Sequence, residues 1–312
     1  MNNTFTFKCS DEEQKLLVEE LSNPKYVRTN VPHTIISTRS HSLIINLYKS
    51  GKLLIQGKEA EDWVSFTLEP RILKRVEIGY EEIIDPDSSQ PHIGIDESGK
   101  GDFFGPLVIA SAYVDENIYP KLLDLGVKDS KSIKSDKKIL LLSKDICKLL
   151  GNKYHVVMFK NSTYNLRYKK FKNLNMLLAW GHAQAIESLL EKAPNCPRAL
   201  SDKFGPEHQI KSFLGDRGKK IILEQKTKAE SDVAVAAASI IARAKFVHTL
   251  KTFEKNYSLT IPKGCSAMVK DTAAEIIKNY GPQVLLKIAK CHFKTTEEVL
   301  LSQGFSREDL KE

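Results

Sequence analysis

The sequence predicts a small α+β domain followed by a larger α/β domain whose C-terminal part is strongly helical. Three observations carry that prediction. The 312 residues, 41% apolar and 28% charged, match a globular protein long enough for two domains. A stretch rich in turn formers and poor in core residues, Asp85-Pro86-Asp87-Ser88-Ser89-Gln90-Pro91, reads as a linker. Charge changes sign across it: residues 1–85 carry 11 Lys and Arg against 13 Asp and Glu, and residues 86–312 carry 36 against 26. The expected division is 1–85, a linker at 86–91, and 92–312.

In the first domain the expected order is β-α-β-β-β-α. Residues 4–8 alternate as a strand does, and Ser10 is placed to cap a helix over 11–21. Residues 34–38, 42–48 and 52–56 read as strands, the last two joined in hairpin fashion at Lys49-Ser50-Gly51. A helix over 59–73 closes the unit. The second domain opens with strands at 93–96 and 107–114. An amphipathic helix over 136–150, a strand at 154–159 and a long helix over 174–192 follow. Residues 198–201 lead as a strand into Asp202. An alanine-rich helix over 234–250 suits close packing, and helices over 271–279, 282–289 and 296–303 complete the chain. There is no internal repeat and no low-complexity segment.

Several function classes are excluded at this level. The longest apolar runs fall far short of a membrane span and residues 1–13 lack a signal-peptide layout, so the expected location is the cytoplasm, without a membrane partner. Cys9, Cys147, Cys196, Cys265 and Cys291 lie far apart with no Cys-x-x-Cys pair, which favours reduced, mostly buried thiols over a zinc site or a disulfide framework. The net charge of +8 is concentrated in two acid-free stretches. One, between Glu20 and Glu59, holds Lys25, Arg28, Arg39, Lys49, Lys52 and Lys58. The other, between Asp145 and Glu187, interleaves Lys148, Lys153, Lys160, Arg167, Lys169, Lys170 and Lys172 with Tyr154, Tyr164, Tyr168 and Phe171. Basic tracts with aromatics suit a surface that tracks phosphates; a solvated lysine face is the plainer alternative.

The chemistry concentrates at Gly94-Ile95-Asp96-Glu97-Ser98-Gly99-Lys100-Gly101-Asp102. Adjacent carboxylates repel, and an enclosed pair needs a cation or a proton to neutralise it. Clustered carboxylate oxygens suit Mg²⁺ or Mn²⁺. Asp202 follows at another strand end, and Glu230 and Asp232 sit just before the alanine-rich helix, where either could be a cap. Gly94-x-x-x-x-Gly99-Lys100 imitates a phosphate-binding ATPase loop, but the Ser or Thr that should hold Mg²⁺ is Gly101, and two acids inside the loop would repel ATP. A metal-free nuclease would need acid–base side chains such as a histidine pair. Only His92 and His182 lie near these motifs, and His182, on the long helix, reads as a packed or hydrogen-bonded residue.

Taken together with Asp129-Ser130-Lys131, residues 173–182 (NLNMLLAWGH), Lys226-Thr227-Lys228-Ala229-Glu230-Ser231, residues 236–243 (AAASIIAR) and Ile261-Pro262-Lys263-Gly264, the segment 94–107 resembles bacterial ribonuclease HIII, a branch of the type 2 ribonucleases H. The resemblance runs from about residue 92 to the C-terminus. It implies a ribonuclease H-like catalytic domain, a central mixed sheet flanked by helices. Residues 1–85 would be a substrate-binding domain resembling half of a TATA-binding protein. Asp96, Glu97, Asp202 and Glu230 would hold two Mg²⁺ or Mn²⁺ ions, Asp96 touching both. Gly99-Lys100-Gly101 would meet the 2′-hydroxyls beside the scissile phosphate. The segment after Glu230 is one residue shorter than the family pattern, so Asp232 stands as the alternative to Glu230. Lys131 would steer phosphate or pair with Asp129. The implied activity is endonucleolytic hydrolysis of the RNA strand of RNA/DNA hybrids by a monomer, leaving 5′-phosphate and 3′-hydroxyl ends. Incision at single ribonucleotides, as in ribonuclease HII, and non-catalytic hybrid binding are the competing readings.

Overall fold

The computed structural model describes residues 4–40, 42–74, 88–127, 133, 135–227 and 229–310. The chain forms two compact units, Met1–Asp85 and Pro86–Glu312. Asp129-Ser130-Lys131 lies outside the described residues, as do Pro86 and Asp87 of the expected linker.

The first unit contains β1 (Thr4–Lys8), α1 (Asp11–Glu20), β2 (Val27–Arg28), β3 (Thr34–Ser40), β4 (Leu43–Tyr48) and β5 (Lys52–Gly57). It closes with α2 (Ala60–Trp63), which continues as a π-wound turn sequence over Val64–Leu73. Ser10 and Glu13 cap α1 reciprocally: the Glu13 amide donates to Ser10 Oγ and the Ser10 amide to Glu13 Oε2. The antiparallel sheet has the order β1-β5-β4-β3-β2. Strand alternation divides its faces. Phe5, Phe7, Ile36, Ile45, Leu47, Leu53 and Ile55 are buried with Leu17, Leu21, Trp63 and Leu68 from the helices. The other face carries Thr6, Leu54, Asn46 and Ser37 in register, flanked by Lys8 beside Lys52 and Arg39 beside Ile44.

The second unit begins with β6 (His92–Ser98) and β7 (Leu107–Val114), then α3 (Tyr119–Asp124), α4 (Asp136–Leu150), β8 (Tyr154–Phe159), α5 (Asn161–Phe171) and α6 (Leu174–Leu190). It continues with β9 (Arg198–Asp202), α7 (Glu207–Lys211), β10 (Ile222–Lys226), α8 (Val233–Tyr257), α9 (Ala267–Tyr280), α10 (Val284–Ile288) and α11 (Lys294–Ser302). The sheet order is β10-β9-β6-β7-β8. Strands β6, β9 and β10 are parallel neighbours, whereas β6–β7 and β7–β8 are antiparallel, so the sheet is mixed. On one face α8 buries its alanines against Val108, Ala110 and Ala112. On the other, α6 covers Ile93, Ile95 and Ile109. A Cβ on Gly94 would stand 2.1 Å from the backbone of Val235, so β6 and α8 meet main chain to main chain.

Two expectations need correction. Val233–Tyr257 is long and apolar enough to cross a membrane by length and composition, yet 72% of its apolar window is buried inside the fold, as befits the central core helix. Part of the second basic tract turns inward, although Tyr168 lines a cavity together with Lys169 and Lys172. Tyr164 is fully buried, Phe171 lies against Trp180 and Phe213, and Lys153 pairs with Asp115 at 2.9 Å. Helix α5, β10 and the short α3 and α7 escaped the sequence reading. The inward face of α5 is polar and aromatic (Asn161, Tyr164, Asn165), which leaves no aliphatic period to detect.

Candidate active site

The acids meet at the carboxyl ends of adjacent parallel strands, where open α/β sheets bind ligands. Ile95 of β6 lies opposite Ser201 of β9, so Asp96 and Asp202 extend side by side one residue further on. Beyond β10 the chain tightens into a single turn at Ala229–Ser231, and the Ala229 amide donates to Asp202 Oδ1 at 3.2 Å. That bond draws the segment bearing Glu230 to Asp202. Asp232 goes elsewhere. Its Oδ1 accepts the Ala234 and Val235 amides at 2.9 and 3.0 Å, capping α8, and its carboxylate receives His92 Nε2 at 2.9 Å.

Electrostatics distinguish the two acids of β6. Burial first, then the charge of Glu97, pushes the Asp96 carboxyl up to about 7, with Asp202 adding repulsion. Hydrogen bonds from Ser239 and from the Glu97 amide, 2.7 Å away, oppose this rise. Burial would raise Glu97 too, but the hydrogen bond and charge of His182, with those of Lys100, hold it below the usual carboxylate range. His182 is fully buried on α6; its Nε2 donates to Glu97 Oε2 at 3.2 Å, and its Nδ1 faces Ser201 Oγ at 3.1 Å. Ser201 in turn donates to the Asp202 carbonyl at 3.0 Å. One buried chain of polar groups therefore ties the acid of β6 to the end of β9.

After β6 the chain turns through Gly99-Lys100-Gly101. Gly99 has φ +90°, and a Cβ there would strike the Pro106 carbonyl at 2.2 Å. Gly101 differs. It is exposed, and an added Cβ would meet no protein atom within 4 Å. Lys100 reaches back to Glu97 at 3.4 Å and lies over the Phe204 ring. A cavity of about 870 Å³ lies away from the acids, lined by Lys169, Lys172 and Arg307 among others, between α5 and the C-terminal segment.

Ser239, Ser201 and the orienting role of His182 were not anticipated from the sequence. Ser239 offered a signal, as the one polar residue in an otherwise apolar run from Val233 to Ala242. Among the described residues no group of three or more His, Cys, Asp or Glu stands as a preformed metal cage. The donor set nevertheless suits a hard divalent cation: it offers carboxylate oxygens, and one carboxyl is driven toward protonation by burial and then by acidic neighbours whose charge a cation would offset.

The ribonuclease HII family model matches residues 93–296, and a domain of unknown function (DUF3378) matches residues 4–74. Ribonuclease HIII of Protochlamydia amoebophila is 41% identical over 288 residues, covering 92% of this chain and 94% of that relative. Ribonuclease HIII of Chlamydia abortus is 39% identical over 301 residues, covering 96% and 98%. Among solved structures, Bst-RNase HIII in complex with Mn²⁺ superposes with a TM-score of 0.66 at 28% identity, covering 96% of this chain and 99% of that one. RNase H3 of Aquifex aeolicus gives 0.54 at 30% identity, covering 93% and 100%. One family model spans the acids and the glycine turn, and relatives of a single name align with almost the entire chain, so this protein belongs to the ribonuclease HII family, on its ribonuclease HIII branch.

Proposed function

We propose that this protein is an endonuclease that hydrolyses the RNA strand of RNA/DNA hybrids, using two divalent ions, Mg²⁺ or Mn²⁺, held by Asp96, Glu97, Asp202 and Glu230. The observation that carries the reading is the placing of Asp96 near Asp202, each one residue beyond the paired Ile95 and Ser201 of β6 and β9, with Glu97 beside them and Asp96 pushed up to about 7. Such a cluster is costly unless cations neutralise it. Bound there, divalent ions would activate water and stabilise the leaving 3′-oxygen, which gives 5′-phosphate and 3′-hydroxyl ends. Engagement of Asp232 by His92 and by the α8 amides supports Glu230 as the fourth acid.

The chain's own groups then divide the work. His182 fixes the Glu97 carboxylate, and Ser239 fixes that of Asp96. The open surround of Gly101 supports close approach of a nucleic-acid strand to the turn, whose backbone can meet 2′-hydroxyls. Lys100 adds charge beside Glu97, and we assign Lys131 to phosphate steering on the resemblance alone. The acid-free face of the first unit's sheet, with Lys8, Lys52 and Arg39, supports contact with the hybrid backbone.

Incubating the purified chain with Mg²⁺ or Mn²⁺ and a uniform RNA/DNA hybrid is expected to cut the RNA strand; intact RNA would refute the assignment. A duplex with one lone ribonucleotide is expected to be nicked poorly, and efficient nicking would move the activity to the ribonuclease HII type. Replacing Lys8 and Lys52 by Ala together is expected to reduce the slope of log affinity against log salt by about 1 to 2. An unchanged slope removes that face from the substrate path.

A further inference from the structure

Behind the glycine turn sits a buried lysine that pairs with no carboxylate among the described residues. Lys290 lies between α10 and α11 and is fully buried. Its ammonium has three N–H donors, and they meet three carbonyls on the returning leg of the turn: Asp102 at 2.8 Å, Gly105 at 2.7 Å and Phe104 at 3.4 Å. Its main chain repeats the attachment. The Lys290 amide donates to the Phe103 carbonyl at 2.8 Å, the Gly105 amide donates to Ile288 at 2.8 Å, and Phe104 bridges Ala289.

The attachment is held from two further sides. Asn161, at the start of α5, donates to the Gly105 carbonyl at 2.8 Å. Asn165, one turn on, donates to Ala289 at 3.0 Å and accepts the Cys291 amide at 2.9 Å. From the side of α9, Gly264 accepts the Phe103 amide and donates to Asp102 Oδ1. Burial pushes the lysine down to about 7 while Asp102 pulls it up. Removing an ammonium from water is costly, and an apolar side chain would fill the space without that penalty. The position therefore has a use for the three donors themselves.

We propose that Lys290 is a positioning residue for cleavage: by clamping Asp102–Gly105 it presents Gly99-Lys100-Gly101 at a fixed place beside the acids. The tip of the turn faces open space at Gly101, so its geometry depends on the leg that is held. This inference rests on the reading above that the turn meets 2′-hydroxyls.

The test compares two hybrids with a short ribonucleotide run, one of which is 2′-deoxy at a nucleotide beside the cleaved linkage. The wild-type protein is expected to cut the deoxy substrate much more slowly. In Lys290→Met, kcat on the all-ribose run is expected to fall about 30-fold with hybrid affinity within about 3-fold, and the deoxy penalty to shrink about tenfold. A variant slowed equally on both substrates keeps the full penalty and overturns the inference alone. A wild type indifferent to the deoxy change overturns the reading of the turn, and the inference with it. Should Lys290→Met not fold, Asn161→Ala removes a single donor to the Gly105 carbonyl. There the penalty is expected to shrink less, and an unchanged penalty overturns the proposal.

Discussion

At each end of β6 a fully buried histidine meets a carboxylate. At the start, His92 faces Asp232; near the finish, Glu97 receives His182. The distances, 2.9 and 3.2 Å, hardly separate them. Their surroundings do. Asp232 also accepts two α8 amides, and His92 Nδ1 faces the Gln90 carbonyl at 2.7 Å, so that end is satisfied within the protein. At the other end Glu97 stands beside Asp96, which burial and neighbouring charge push up to about 7. The same pair of side chains closes on itself at one end of the strand and sits beside an unneutralised acid at the other, which is where the reading proposed above places a cation.

That contrast can be broken most severely at Asp96. Asp96→Asn is expected to lower hydrolysis by at least about a hundredfold while hybrid affinity, set by the basic surface, changes little. A parallel loss of binding in a gel-shift titration would contradict its role. His182→Ala should cost about 10- to 100-fold in activity, with a higher Mn²⁺ concentration needed for half-maximal rate. An unchanged metal titration would make His182 a packing residue like His92. The smallest effect on turnover belongs to the opposite end. Asp232→Ala is expected to reduce stability by about 2 kcal/mol, through the lost cap and an orphaned imidazole, with the rate per folded molecule kept within about twofold. If denaturant melts show no change, or the rate collapses in the folded protein, the division between the two ends fails.

Much of this was legible in the sequence because it is local. Asp96-Glu97, the glycine turn and Asp202 sit at strand ends, where a short apolar run stops at an acid. The sequence context of Glu230 favours it over Asp232, yet both precede a helix; the partners of Asp232 are what the sequence hides, since His92 lies 140 residues away. Helix α5 was missed because its buried side is Asn and Tyr, and the same fact hides from the sequence that Tyr164 points into the core. Lys290 gave no signal at all. Its carbonyl partners lie 185 to 188 residues upstream, and nothing in its neighbours marks a lysine that folds inward.

The registration of β9 against β6 has a consequence for the life of the chain before it is finished. Asp96 emerges from the ribosome more than a hundred residues ahead of Asp202, and Glu230 comes later still. Until β9 slots into place at Ile95–Ser201, these acids are scattered along a string and form no cluster. Completion of the sheet is thus what first brings Asp96 and Asp202 together, late in the making of the chain.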